Sequence, residues 1–249
     1  MRPPNPYNYN LPVEPEMFFG RDADVETLVR SLTGAPGDSF ALVGGRRMGK
    51  TSLLEALKRA LTGPVHHLLP VPVLLDMSGE QVDSLPAFFR AVVGEAEEAL
   101  ADRLGCPPEA PGWDETRPPV KVFERWLRAC NEAVMGREGR GLRLVLLLDE
   151  CEQIVGGPWT PDLYSGLRAL LVGEATRLHL KVVMAGSHRF LAQYLMHHLW
   201  EQGLERATPE EVRRLAARFP HERDDFRVWA EGLGDSGCRV YGLLVRAGC

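Results

Sequence analysis

One octet constrains this chain more than anything else in it: Gly44-Gly45-Arg46-Arg47-Met48-Gly49-Lys50-Thr51. A glycine, four free positions and then Gly-Lys-Thr is a pattern with a physical purpose. A short apolar run at 40–43 precedes it. A segment with Leu53, Leu54, Leu57 and Leu61 at three- and four-residue steps follows. That order predicts a buried strand, a tight turn and a helix over 51–61. Gly44 and Gly49 let the backbone turn sharply and keep Cβ atoms away from its N–H groups. The successive amides then form an anion nest at a helix N-terminus, where the macrodipole adds positive potential. Lys50 is placed to reach the outer phosphates of a nucleotide. The Thr51 hydroxyl is placed to ligate Mg²⁺, a cation that keeps most of its water. At average residue frequencies about one chain in a hundred of this length carries the pattern by chance. The strand and helix context lowers that further.

A second signal lies about 100 residues downstream. Leu144-Val145-Leu146-Leu147-Leu148 is an apolar run that stops on Asp149-Glu150. Such a strand delivers its terminal acids to the carboxyl edge of a sheet, where ligands of α/β sheets bind. Asp149 is then a holder of the Mg²⁺ water shell, and Glu150 a base for an attacking water. A third run, Lys181-Val182-Val183-Met184-Ala185, ends in Gly186-Ser187-His188-Arg189. Ser187 is the candidate there for touching a γ-phosphate or its attacking water, weighed equally against a plain turn. His188 and Arg189 read as solvated loop residues.

The rest of the chain alternates in the same way. Apolar periodicity predicts helices at 22–32, 85–104, 120–135 and 161–174, and further helices at 191–202 and 209–218. Apolar runs predict strands at 71–77, 142–148 and 180–185. Strands alternating with helices argue for a mainly parallel sheet covered on both faces. Residues 1–16 hold Pro3, Pro4, Pro6, Pro12 and Pro15 and cannot be helical; they read as an extended arm. Residues 17–190 read as one α/β domain and 191–249 as a helical C-terminal segment, with two short helices after 226.

Composition excludes several classes. The formal charge is −5, which argues against a general nucleic-acid coat. The longest leucine-rich stretch is too short to cross a bilayer. The cysteines, 5 in all, are scattered without metal-ligand or framework spacing. They fit reduced thiols of a cytoplasmic protein. His197 and His198 are adjacent, so on a helix they point about 100° apart and do not serve one metal.

At these residues the chain resembles the AAA-like ATPases of the STAND group, and more broadly the three-layer α/β/α P-loop ATPases with an additional strand and a catalytic glutamate. Phe18-Phe19-Gly20-Arg21, with Leu28 after it, is similar to the box that precedes the phosphate loop in STAND and origin-recognition-type ATPases. The stretch 44–54 is similar to their loop, 146–150 to their second acidic motif, and Ala185-Gly186-Ser187 to their sensor strand end. Asn5-Pro6-Tyr7 is similar to the opening of bacterial members. The resemblance implies that Gly20 and Arg21 help hold an adenine base. With Gly44, Gly45, Arg46, Arg47, Met48, Gly49, Lys50, Thr51 and Ser52 they make up the expected ATP-binding set. Glu150, Lys50 and Ser187 are the expected catalytic set, and Thr51 and Asp149 the expected Mg²⁺ pair. It also implies a sheet in which the sensor strand lies between the phosphate-loop strand and the acidic strand.

Where the family carries a fifth strand and a helical lid after the sensor, neither is legible near 190. The expectation is that both are lost, and that 226–249 resembles the start of a winged helix. The function expected is a Mg²⁺-dependent regulatory ATPase that binds ATP and ADP and answers to a protein partner or a second copy of itself. The rivals are a nucleotide-gated scaffold without useful turnover and a DNA-associated ATPase of the origin-recognition kind. Arg46 and Arg47 read as solvated loop cations rather than as an arginine finger.

Overall fold

The computed structural model describes residues 20–34, 38–44, 48–63, 65, 67–79, 82–104, 109–113, 117–154, 157–187 and 240–244. Its elements run α1 (Asp22–Thr33), β1 (Ser39–Val43), α2 (Lys50–Ala60), β2 (Leu68–Asp76), α3 (Leu85–Leu104), α4 (Pro119–Glu138), β3 (Gly141–Asp149), a 3₁₀ turn (Cys151–Ile154), α5 (Thr160–Val172), β4 (Leu180–Gly186) and β5 (Val240–Leu244). The first four strands form a parallel sheet in the order β2-β3-β4-β1, with β5 pairing in parallel on the far side of β1. The strand that ends at the expected sensor position, β4, thus lies between β1 and β3, as the resemblance implies.

Helices cover both faces because the strands are apolar on both. On one face, α3, α4 and α5 pack Phe88, Phe89, Phe123, Trp126 and Leu163 against Val71, Leu144 and Leu146 of the sheet. Phe89 stacks on Phe123 with ring centroids 4.8 Å apart. On the other face, α1 and α2 pack Leu28, Leu32, Leu53 and Leu57 against Leu42, Val145 and Val183. Each of these fully buried side chains is worth roughly 1.5–3 kcal/mol of transfer free energy.

Two expectations are corrected. The strand expected at 71–77 starts earlier: β2 begins at Leu68 and contains both Pro70 and Pro72. Among the described residues it pairs with β3 alone. Residues 70 and 72 are two apart, so their missing N–H donors fall on one side, the open edge. The second correction concerns the C-terminal segment. Val240–Leu244 is a strand, not part of a short helix, and it pairs from Ser39↔Val240 to Val43↔Leu244. A fifth strand thus flanks β1, while the loss expected near residue 190 falls outside the described residues. The arm at 1–16, Phe18, Phe19, the loop at 188–190, both histidines of the 197–198 pair and the helices expected at 191–202 and 209–218 lie outside the described residues.

Candidate functional site

The parallel strands end together, and their C-terminal edge gathers most of the polar residues singled out above. Gly44 follows β1, and its N–H donates to the Gly186 carbonyl at 3.1 Å. This ties the start of the glycine loop to the end of β4. Gly45, Arg46 and Arg47 lie outside the described residues. The loop closes on Gly49, which caps α2 with φ 75° and ψ 25°. Glycine adopts that left-handed geometry without cost, and it makes no side-chain cap bond to the start of α2, whose N-terminus lies at the sheet edge.

Lys50 is only 6% exposed. Its Nζ donates to the Gly44 carbonyl at 3.2 Å, so the ammonium spans the loop from its last turn to its first glycine. Thr51 Oγ1 donates to Asp149 Oδ2 at 2.5 Å. Asp149 is itself buried, and its Oδ1 accepts the Glu150 amide at 2.9 Å. Ser52 is buried one residue further along α2. Arg21, just before α1, donates from Nη2 to the Met48 carbonyl at 3.1 Å. Its guanidinium also lies against Gly49, about 3.8 Å from where a Cβ would stand. The described contact of Arg21 is therefore with the loop backbone. Gly20 is exposed beside it. Burial lowers the pKa of Arg21 from its ordinary value, with Asp24 opposing the shift.

Glu150 departs from the strand with φ 52°, in the left-handed region that non-glycine residues rarely enter. That turn sends the chain into the 3₁₀ segment. Its carboxyl is pushed above the usual carboxylate range, first by burial, then by the carboxylates of Glu152, Asp149 and Asp76; Lys50 opposes them. Asp76 reaches the same edge because β2 is in register with β3, Asp76 opposite Asp149. Ser187 is half-buried just beyond β4, and its amide donates to Glu152 Oε2 at 3.1 Å.

Sequence reasoning missed Asp76 and Glu152. Asp76 ends an apolar run just as Asp149 does, so a parallel register alone places the two side by side. Glu152 is the third acid of Asp149-Glu150-Cys151-Glu152. Its direction depends on the positive φ at Glu150, which no spacing announces.

The donor set suits a hard cation with few protein ligands. A hydroxyl has one proton and two lone pairs. Giving its proton to Asp149 leaves the lone pairs of Thr51 free. Among the described residues no group of three or more His, Cys, Asp or Glu side chains converges as a metal cage. A cation here would draw its remaining ligands from water and phosphate, as Mg²⁺ does. Among the described residues no helix is long and apolar enough to cross a membrane.

No family model matches the chain, and no curated protein matches it. Solved structures do. The ORC2 protein of Aeropyrum pernix, in its ADPNP–ADP complexes, is 16% identical with a TM-score of 0.52, over 78% of this chain and 48% of that one. A Walker-type ATPase of Pyrococcus abyssi is 17% identical with a TM-score of 0.50, over 93% of this chain and 55% of that one. The chain thus spans about half the length of each. The likeness is one of fold: an α/β, P-loop ATPase-like architecture of the origin-recognition and Walker-type kind.

Proposed function

We propose that the chain is an ATP-binding, Mg²⁺-dependent regulatory ATPase module that hydrolyses ATP to ADP and phosphate. The observation that carries this reading is the convergence of Lys50, Thr51, Asp149 and Glu150 at one sheet edge, where α2 begins at Gly49. The amides of the loop and the Lys50 ammonium bind the β- and γ-phosphates. To do so, Lys50 exchanges its bond to the Gly44 carbonyl for phosphate oxygens. Thr51 and Asp149 would hold Mg²⁺. When bound, the cation neutralises charge developing on the phosphate oxygens. Glu150 orients a water for in-line attack and takes its proton as the oxygen–phosphorus bond forms and the bond to ADP breaks. Ser187, at the end of β4, touches the γ-phosphate, which lies between it and Glu150. Arg21 braces the loop through Met48 and, with Gly20, flanks the base; Gly45, Arg46, Arg47 and Ser52 complete the loop.

Within the AAA-like ATPases we place the chain with the STAND group, on its Phe18-Phe19-Gly20-Arg21 box and the loop stretch through Leu54. In that setting slow hydrolysis resets a switch whose output is a contact with a protein partner or a second copy. The formal charge of −5 weighs against a DNA-bound role.

One assay tests the reading by pairing nucleotide binding with phosphate release. Lys50→Ala abolishes ATP binding. Glu150→Gln keeps binding and loses turnover. Unchanged ATP affinity in Lys50→Ala refutes the site. Background phosphate release from a wild-type chain that binds ATP makes it a nucleotide-gated scaffold instead of an enzyme.

A further inference from the structure

Glu150 and Ser187 sit on different elements, and the reading above gives no part to the side chain that joins them. Glu152 lies two residues after Glu150, and its Oε2 accepts the Ser187 amide at 3.1 Å across 35 residues of sequence. Both ends of that link are anchored. On the acidic side, the turn is closed by the Gln153 amide on the Glu150 carbonyl at 2.9 Å. Cys151 is fully buried with its Sγ on the Leu148 carbonyl at 3.4 Å, and Ile154 is buried at the end of the turn. On the other side, Gly186 is the last residue of β4, paired with Val43. Its carbonyl receives the Gly44 amide. Ser187 is the first residue past the ladder, where strand pairing no longer fixes the backbone.

An amide at that point has nothing in the sheet to bond to. The Glu152 carboxylate supplies its acceptor, and a charged acceptor makes the stronger kind of hydrogen bond. The link therefore runs from the acidic turn, through Glu152, to the strand end that abuts the first glycine of the loop. We propose that Glu152 is a positioning residue that locks the end of β4, Ser187 included, to the acidic turn, and that this lock is what lets the site distinguish ATP from ADP. The inference rests on the reading above, in which the γ-phosphate lies between Glu150 and Ser187. Groups that meet only the β-phosphate belong to the loop and α2, with which Glu152 makes no hydrogen bond among the described residues. Loss of the lock therefore falls on the nucleotide that carries a γ-phosphate.

Three substitutions separate the geometry from the charge. Glu152→Ala removes the acceptor. Glu152→Asp keeps the charge and shortens the reach by one methylene. Glu152→Gln keeps both length and an acceptor oxygen without the charge. Two readouts are needed: amide hydrogen exchange in the peptide that contains Ser187, and the ratio of ADP to ADPNP dissociation constants measured with Mg²⁺. Exchange speeds up in the Ala and Asp variants and stays close to wild type in Gln. The preference for ADPNP over ADP falls by about tenfold in Ala and Asp, as expected for a lost hydrogen bond to a charged group. It is rescued in Gln, while ADP affinity holds throughout. A merely structural role lowers the affinity of both nucleotides together, and that outcome overturns the proposal. So does unchanged exchange in Glu152→Ala or Glu152→Asp, or faster exchange with an unchanged ratio. A wild-type chain that binds neither nucleotide sinks the functional reading and this inference with it; wild-type binding with an unaltered ratio in the variants sinks this inference alone.

Discussion

Thr51 Oγ1 and Asp149 Oδ2 stand 2.5 Å apart across 98 residues of sequence, the first at the start of α2 and the second at the end of β3. The bond fixes the hydroxyl's rotamer, since its proton is committed to Asp149 and its lone pairs are aimed elsewhere. Thr51→Val keeps the shape and removes the donor. The variant is expected to lose the Mg²⁺-dependent part of its ATP affinity, about 10–100-fold by analogy with other residues that orient metal ligands. Its affinity without Mg²⁺ is expected to match that of wild type in chelator. Thr51→Ser retains the bond and most of the affinity. Titration of a fluorescent ATP analogue with and without Mg²⁺ reads all six values, and an equal loss in both conditions for Thr51→Val would count against a cation site.

Arg143 is the largest fully buried side chain among the described residues, 1% exposed at the opposite end of β3. Its Nη1 donates to the Leu32 carbonyl at 2.7 Å and to the Gly34 carbonyl at 3.2 Å. These are end carbonyls of α1, which have no partner within the helix. A guanidinium there also meets the negative end of the helix dipole. Burial lowers its pKa to about 10, so it stays charged at neutral pH. Arg143→Met fills similar volume and leaves those carbonyls without their donor. Urea unfolding is expected to show a loss of about 2–4 kcal/mol with an unchanged m-value. A cost within experimental error would mean that water takes over the carbonyls.

The elements that were legible in sequence are those whose pattern is decided locally. Leu144 to Leu148 reads as a strand because parallel strands are apolar on both faces. Phe88, Phe89, Val92, Val93 and Ala96 read as a helix because their three- and four-residue steps suit no strand. β5 is the opposite case. Val240, Leu243 and Leu244 have spacing that a helix and a short strand share, and Gly242 favours neither. Its state is set by pairing with β1, about 200 residues away, which no local window contains. At the site, the placement of Lys50, Thr51 and Asp149 was legible because a glycine loop sets the first two at a helix start and an apolar strand carries the third to the sheet edge. Glu152 was not, because its aim depends on one backbone angle at Glu150.

That angle has its own consequence. A φ of 52° at Glu150 costs a non-glycine residue of the order of 1 kcal/mol or more, and four carboxylates crowd the same edge. Glu150→Gln relieves the charge and keeps the strain. Glu150→Asn relieves the charge and favours the left-handed conformation, because its short amide bonds locally. Both variants are expected to lose phosphate release. The Asn variant is expected to be more stable than the Gln variant by about 0.5–1 kcal/mol, or ~1–4 °C in melting temperature. Equal melting temperatures would show that the strain is not stored at this residue.

Cys130 is fully buried on α4, and its thiol is pushed up to about 12, first by burial and then by the carboxylate of Glu97 on α3. The folded value lies above the ordinary 9.0, so the folded state holds this proton more tightly than the unfolded chain does. The associated stability is fully present below pH 9 and is lost as pH rises from there through 12. The loss amounts to about 1.4 kcal/mol per pH unit above the unfolded value. Cys130→Ala has no thiol to titrate. Near pH 7 it is expected to be less stable than wild type by about 1 kcal/mol from lost packing. By pH 10 the difference is expected to vanish or reverse, since wild type alone has lost the thiol contribution. Urea midpoints of the two proteins at pH 7, 9 and 10 measure this directly. Curves that run parallel across the three pH values would mean that Cys130 ionises as easily in the folded chain as in the unfolded one, which its burial against Glu97 argues against.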